Sequence, residues 1–357
     1  MYKFHHCQNG ICIQYERKNS VTAYLSYAYL AGLKDDSTGT MLAHIAEHIV
    51  YSVLKDIIAN SSGQRDLLHF LNAYTNWNTT VFWMRPINTP SLILYVIKCF
   101  AQLSEYVANN LMVDEELFAK ERITVENEML CKSKKSLQQE TFSAIYGLKS
   151  KEIKLTDTLV SDFIKNNYKG IVITIVGSIS LTEWNYIIDF LEGIHLPKCN
   201  KKKIQSKNKI VKGNLKSGYA FNAVQLFETV SLKDTLYLQM LATMHSQIAK
   251  KYSYDKKIFY YHMNGHVLLY RITYSSQKCR EYQMELSENF YVQYFQSFMH
   301  LLCLELDNPE NIAMWHLRNQ YSFGHSFSTE KIIKEYESFD YNHCVNIEST
   351  YRIVFEE

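Results

Sequence analysis

The sequence predicts an α+β protein built as two related halves. Three observations lead there. Each half opens with short alternating segments rich in Tyr, Val and Ile, and these give way to helical stretches. A Lys-rich stretch with few apolar residues interrupts the 357-residue chain past its middle. The order of elements before that stretch is echoed after it. The length fits two domains, each large enough for its own core. The expected division is a first domain at residues 1–196, a linker at 197–216 and a second domain at 217–357. Lys198, Lys201, Lys202, Lys203, Lys207, Lys209, Lys212 and Lys216 mark the linker as an exposed interdomain segment.

In chain order, residues 11–16 and 22–31 alternate and read as two paired strands. Residues 31–36 form a turn, and Thr38 or Thr40 is placed to cap the helix that follows. That helix runs to about Asn60, where Ser61-Ser62-Gly63 stops it. A short helix over 64–71 leads into a strand-like stretch, 72–85, ended by Pro86. Long helices follow over 90–110 and 114–132, the second opened by the acidic turn Asp114-Glu115-Glu116. A helix over 156–166, an apolar strand over 170–176 and a helix over 181–193 complete the first half. The second half carries strands over 219–231, a helix over 235–251, strands over 258–274, helices over 277–304 and 329–337, and a closing strand over 350–355.

Composition narrows the function classes. Hydrophobic content of 47% and charged content of 21% describe an ordinary globular chain. A net charge of +2 offers no footprint for nucleic acid. The 27 Tyr and 18 Phe are scattered through both halves with acids among them, which suits core and groove packing better than base stacking. No run of about 18 apolar residues predicts a membrane span, and the opening Met-Tyr-Lys-Phe-His-His-Cys lacks a signal-peptide core. The expected location is therefore cytoplasmic, with the eight cysteines as reduced thiols.

One motif carries chemistry. His44-Ile45-Ala46-Glu47-His48 spells H-x-x-E-H inside a predicted helix without Gly or Pro. Residues four apart share a helix face, so His44 and His48 can reach one metal ion. Two neutral imidazoles suit zinc, and a carboxylate beside a zinc-bound water can act as its general base. A solvated face bearing His and Glu would look similar. However, Leu42, Ala43, Ile45, Ile49 and Val50 surround the polar trio, and burial of such a trio is costly unless something pairs with it. A catalytic zinc takes three protein ligands, and the best source of the third is the helix after Asp114. There Glu121 and Glu128 lie seven apart on one face, Val125 lies between them, and Glu126 points elsewhere.

Other clusters stay at background. His5-His6-Cys7 reads as an incidental run beside a strand. His262 and His266 flank an Asn264-Gly265 turn, and Ser322, Ser326 and Ser328 near His325 lack an orienting acid.

These residues resemble the inverzincin metallopeptidases of the pitrilysin family. The ordered matches are the turn 31–36, the zinc helix Leu42 to His48, the edge strand Asn72-Ala73-Tyr74-Thr75 with Thr80-Val81-Phe82 downstream, the Glu121-Arg122 and Glu128 helix, and Val176-Gly177. They cover residues 1 to about 195, and the second half matches in topology alone. The resemblance implies two α/β sandwich domains, each an antiparallel-rich sheet covered by helices, with the second shortened. It implies one zinc held by His44, His48 and Glu128, with Glu47 as general base and Glu121 as a supporting second acid. It further implies that Asn72, Ala73 and Tyr74 bind an extended peptide as an added strand.

The chain also departs from the family. Met41 stands where Gly is usual, and the His48-to-Glu128 interval is longer. The Arg and Tyr seven residues apart that hold substrate in the second domain are absent from residues 247–254, which leaves Tyr260 as the substitute. This pattern implies a catalytic subunit whose homologous partner supplies substrate-binding residues, forming a heterodimer that processes small or unfolded peptides such as bacterial leader peptides, or else a homodimer or clamshell with its own substitute contacts. The alternative is a non-catalytic peptide-binding or structural subunit. Neither reading involves nucleic acid or a membrane.

Overall fold

The computed structural model describes residues 1–36, 41–60, 65–109, 111–131, 137–146, 154–196, 209–226, 231–251, 257–263, 266–274, 286–324 and 326–352. The chain divides into two compact units. The first comprises Met1–Lys134, Leu148–Lys202 and Pro309–Leu317. The second comprises Lys135–Gly147, Lys203–Asn308 and Arg318–Glu357.

The elements of the first unit are β1 (Tyr2–His6), β2 (Ile11–Arg17), β3 (Tyr24–Tyr29), α1 (Leu42–Ala59), β4 (Leu71–Thr75), β5 (Thr80–Met84), α2 (Pro90–Asn109) and α3 (Glu115–Cys131). The helix α4 (Leu137–Ile145) belongs to the second unit, and α5 (Asp157–Asn167), β6 (Ile171–Gly177) and α6 (Leu181–Glu192) complete the first. Its six strands form one mixed sheet in the order β1-β2-β6-β3-β5-β4. β6 runs parallel to β2 and antiparallel to β3. The fold class is therefore α+β, as the sequence predicts.

Two expectations about this sheet are corrected. β2 and β3 do not pair with each other, because β6 lies between them. All seven residues of β6 are buried, and such a continuous apolar strand belongs in the middle of a sheet covered on both faces. The stretch 72–85 is a hairpin rather than one strand. Its turn is built by Asn76, whose Oδ1 accepts from the N–H groups of Asn78 and Thr79, each at 2.8 Å. The turn nests against Gly32. A Cβ there would meet the Asn76 carbonyl oxygen at 2.4 Å and the Thr79 nitrogen at 2.7 Å.

Helices α1, α2, α5 and α6 bury their apolar sides in one core with Ile13, Tyr15, Leu25, Tyr27 and Ile173 from the sheet. α1 packs against α2, α3, α5 and β4, which explains why Ala43, Ile45, Ala46, Ile49, Val50 and Leu54 are all buried. Among the described residues, α2 is the one helix long and apolar enough to cross a membrane. Its Ile93, Val96, Ile97, Phe100 and Leu103 belong to this core instead. On the opposite sheet face, Cys12, Ala28, Val81 and Val172 pack with Leu317. Leu317 comes from α9 (Pro309–Phe323), whose His316 Nε2 lies 2.6 Å from Glu16 Oε2.

The start of α1 also differs from expectation. Thr38 and Thr40 lie outside the described residues. Met41 occupies the N-cap with left-handed φ of 68° and offers no side-chain cap. Asp36 does that work from a distance, its Oδ2 accepting from the Leu42 N–H at 2.9 Å. The left-handed backbone gives a physical reason why glycine suits position 41. At α6 the capping box Ser180/Glu183 follows the rule directly.

The second unit holds β7 (Lys209–Asn214), β8 (Tyr219–Leu226), α7 (Leu232–Lys251), β9 (Lys257–Met263), β10 (His266–Tyr274), α8 (Glu288–Glu305), α10 (Thr329–Tyr336) and α11 (Tyr341–Thr350). Its sheet runs β7-β8-β10-β9, antiparallel throughout. β7 lies inside the Lys-rich stretch expected to be linker, whose residues 197–208 are outside the described set. Of the stretch 350–355 expected to be a strand, the described residues 350–352 are not strand. Thr350 ends α11, capped by Asp340 through the His343 N–H at 3.0 Å, and residues 353–357 lie outside the described set. Glu348 from α11 accepts from the Tyr291 hydroxyl at 2.5 Å and faces His245 Nε2 at 2.6 Å. These contacts, with the His245 pairing foremost in lowering the Glu348 pKa against the opposing effect of burial, tie α11 to α7 and α8. Cys7, Cys12, Cys99, Cys303 and Cys344 are thiols, not joined in disulfides.

Candidate metal centre

α1 and α3 pack side by side and bring the motif and the paired glutamates together. His44 Nε2 lies 3.5 Å from Glu128 Oε2, and His48 Nε2 lies 3.6 Å from Glu128 Oε1. The three donor atoms fall within 4.8 Å of one another, and the imidazole centroids are 5.0 Å apart at 72°. Bonds of roughly 2.0–2.1 Å in a tetrahedron place neighbouring ligand atoms about 3.3 Å apart. The histidine-to-glutamate spacings are close to that edge, and the two-nitrogen, one-oxygen donor set suits zinc. All three side chains are partly exposed, which leaves an approach for water.

Glu121 completes a second layer. Its Oε2 lies 3.2 Å from His48 Nδ1. A carboxylate only accepts, so Nδ1 carries the proton and the Nε2 lone pair is left facing Glu128. The other oxygen, Oε1, accepts from the Ser52 hydroxyl at 3.0 Å, with Lys120 Nζ at 3.9 Å. Glu121 is 6% exposed, whereas Glu126 is exposed and pairs with Arg122. Ser52 was missed by the sequence reading, although its position four residues after His48 was a usable signal. Replacing Glu121 by Gln is expected to weaken zinc affinity by ~10–100-fold with little change in secondary structure. Ser52→Ala should give a smaller loss of the same sign. Competition against a chromophoric chelator measures both, and unchanged affinity in Glu121→Gln would contradict the assigned role.

Glu47 precedes His48 on α1 and is 5% exposed. Burial is the main cause of the raised Tyr51 and Tyr168 pKa values, and the Glu47 charge adds to both. Both phenols therefore stay protonated beside it. Tyr51 also joins the motif helix to the sheet, its hydroxyl donating to the Leu71 carbonyl at 3.1 Å.

Asn72, Ala73 and Tyr74 lie on β4, which forms an edge of the sheet and, among the described residues, pairs only with β5. The Ala73 N–H donates to Asn72 Oδ1 at 2.8 Å and so is not spent on β5. The Tyr74 side chain is engaged on the other sheet face, where its hydroxyl lies 2.7 Å from Met314 Sδ. Tyr260 lies on β9, an edge strand of the second unit's sheet, and its side chain is outside the described set. Among the described residues a second group of possible metal donors also occurs, formed by His5, Cys7 and Glu192.

No protein-family model matches the chain, and no curated protein matches its sequence. Solved structures do match. Over 100% of its length the chain resembles a protease from Helicobacter pylori, covering 98% of that chain at 12% identity and a TM-score of 0.69. Over 99% of its length it resembles the first half of the periplasmic protease PqqL from Escherichia coli, covering 90% of that chain at 12% identity and a TM-score of 0.65. It spans 46% of a longer PqqL chain at 13% identity and a TM-score of 0.65. A chain of Complex III2 from Candida albicans matches over 98% of this chain and 92% of its own length, at 11% identity and a TM-score of 0.61. Likeness at this level of identity establishes the fold alone, which the chain shares with these structures over nearly its whole length.

Proposed function

We propose that the chain is a zinc-dependent endopeptidase acting on small or unfolded peptides, and the catalytic subunit of a heterodimer. The observation that carries the reading is the convergence of His44, His48 and Glu128, backed by Glu121 on His48, inside a fold shared with chains named as proteases. Bound zinc would acidify a water and polarise the scissile carbonyl. The protein's own residues do the rest. Glu47 takes the proton from the attacking water and passes it to the leaving amine. Glu121 keeps His48 in the tautomer that presents Nε2. β4 offers its open edge to an extended peptide, and Tyr51 holds that edge in register with the motif helix.

The heterodimer rests on residues 247–254, which contain no Arg and so lack the Arg–Tyr pair seven residues apart despite Tyr252 and Tyr254; a homologous partner would supply that pair. The complex III chain favours one other reading, since the same fold occurs in a chain named as part of a complex rather than as a protease. The two readings part on one experiment. The purified chain, alone and with any co-purifying subunit, is offered peptide libraries before and after chelation, and then after zinc is restored. Cleavage that disappears with the metal and returns with zinc is the expected result. Zinc-loaded protein that leaves every peptide intact, with and without its partner, would favour the non-catalytic reading.

A further inference from the structure

The corner where the first hairpin meets the end of α6 gathers a second donor set that the proposed peptidase chemistry does not use. His5 and Cys7 are two residues apart and so share a side of the chain as it leaves β1. His6, on the other side, stacks edge-on with Phe4 and lies 3.1 Å from Cys12 Sγ through its Nδ1. Glu192, the last residue of α6, brings its Oε1 within 3.1 Å of His5 Nε2. The donor atoms of His5, Cys7 and Glu192 lie within 4.8 Å of one another.

We propose that His5, Cys7 and Glu192 form a second metal site, specific for a borderline divalent transition ion such as zinc. One sulfur, one nitrogen and one oxygen ligand are a donor set zinc accepts, with the fourth position left to water. The His5 to Glu192 spacing already matches the roughly 3.3 Å edge of such a tetrahedron. Cys7 Sγ lies within 4.8 Å of both other donors, so it need draw in by no more than ~1.3 Å to reach S-to-N and S-to-O edges of roughly 3.5 Å, within reach of one side-chain rotation.

The surroundings hold the site ready. The Gln8 N–H donates to Glu192 Oε2 at 2.8 Å, which fixes the carboxylate and leaves Oε1 turned to His5. The Asn9 amide donates to the carbonyls of Leu191 at 2.6 Å and Ile194 at 3.0 Å, which pins the hairpin to the helix end. The Cys7 N–H donates to Ile11 at 2.8 Å and closes the turn. Glu192 also stands at the carbonyl end of α6, where the helix dipole favours a cation. On binding, the Cys7 thiol releases its proton to solvent, His5 gives its Nε2 lone pair, and Glu192 gives Oε1. The two negative donors then balance the dication. The ion would clamp the sheet edge to α6 and so act structurally.

The two metal sites differ in a way that can be measured. His44, His48 and Glu128 contain no sulfur, so a thiolate-to-cobalt charge-transfer band can arise only at a cysteine site. The full-length metal-free chain is titrated with Co2+ under reducing conditions. The expected result is a band that saturates at about one ion per chain, disappears in Cys7→Ser and persists in Cys12→Ser. Cys7 is buried, so Glu192→Gln and His5→Ala serve as gentler variants. Each should weaken cobalt binding at this band by ~10-fold or more, with the folded circular dichroism spectrum retained. The site is disproved by no band at excess cobalt, by a band that survives Cys7→Ser, or by binding unmoved in Glu192→Gln and His5→Ala. Because the readout ignores the His44 site, failure here leaves the peptidase reading intact, and the reverse also holds.

Discussion

Glu47→Gln should retain zinc and lose hydrolysis, with kcat falling by ~10²–10⁴-fold, the range that a positioned general base supplies. The substitution keeps the side chain's shape in a position only 5% exposed, so the helix and both imidazoles stay in place. What it removes is the ability to accept a proton from the attacking water. Tyr51 and Tyr168 cannot substitute, since burial, the main cause of their raised pKa values, keeps both protonated without the Glu47 charge. Steady-state kinetics on a cleaved peptide, with metal content measured on the same sample, checks the prediction. Undiminished kcat at full zinc content would remove Glu47 from the mechanism.

Gly32→Ala should be the most destabilising single-methyl change in the first unit. The backbone there is extended, with φ of −155°, so conformation is no obstacle. Space is the obstacle. The new Cβ would fall 2.4 Å from the Asn76 oxygen, 2.7 Å from the Thr79 nitrogen and 2.8 Å from the Asn78 carbonyl carbon. All three are backbone atoms of the β4–β5 turn, which cannot yield as a side-chain tip can. The same turn is bound to this segment, since the Leu33 and Lys34 N–H groups donate to the carbonyls of Asn76 and Trp77, each at 3.0 Å. Overpacking of this kind costs ~1–3 kcal/mol or more. A midpoint loss of roughly 2–4 °C per kcal/mol then applies to a unit of this size. The displaced hairpin carries the β4 edge, so KM should rise in parallel. A thermal midpoint equal to that of the parent chain would show that the turn has more room than its hydrogen bonds imply.

The parts legible in sequence were those set by local spacing. His44, Glu47 and His48 announce themselves within five residues, and the seven-residue interval from Glu121 to Glu128 selects one helix face. Pairings between distant segments left no such mark. Nothing in residues 11–31 signals that β6, some 140 residues later, separates the two strands they form. The hairpin at 72–85 was hidden because its turn, Asn76-Trp77-Asn78-Thr79, uses an asparagine side chain rather than glycine. At the C-terminus, local β-propensity in Thr350-Tyr351-Arg352-Ile353-Val354-Phe355 pointed to a strand. The burial of Cys344 and Ile347 and the Asp340 cap set a helix up to Thr350. Glu192 lies 185 residues from Cys7, so no motif could have joined them.

The account depends most on a metal ion held by His44, His48 and Glu128. The most direct test is X-ray absorption at the zinc edge, with metal content, on the zinc-loaded chain and on Glu128→Gln. Cys7→Ser serves as the background for both, so that any ion at a cysteine site drops out. The expected result is about one zinc per chain in that background, with only nitrogen and oxygen neighbours at roughly 2.0–2.1 Å and two of them imidazoles. In Glu128→Gln the ion should be lost or bound at least ~10-fold more weakly. A chain that binds no zinc, or a Glu128→Gln variant with full affinity and an unchanged spectrum, would contradict the assignment.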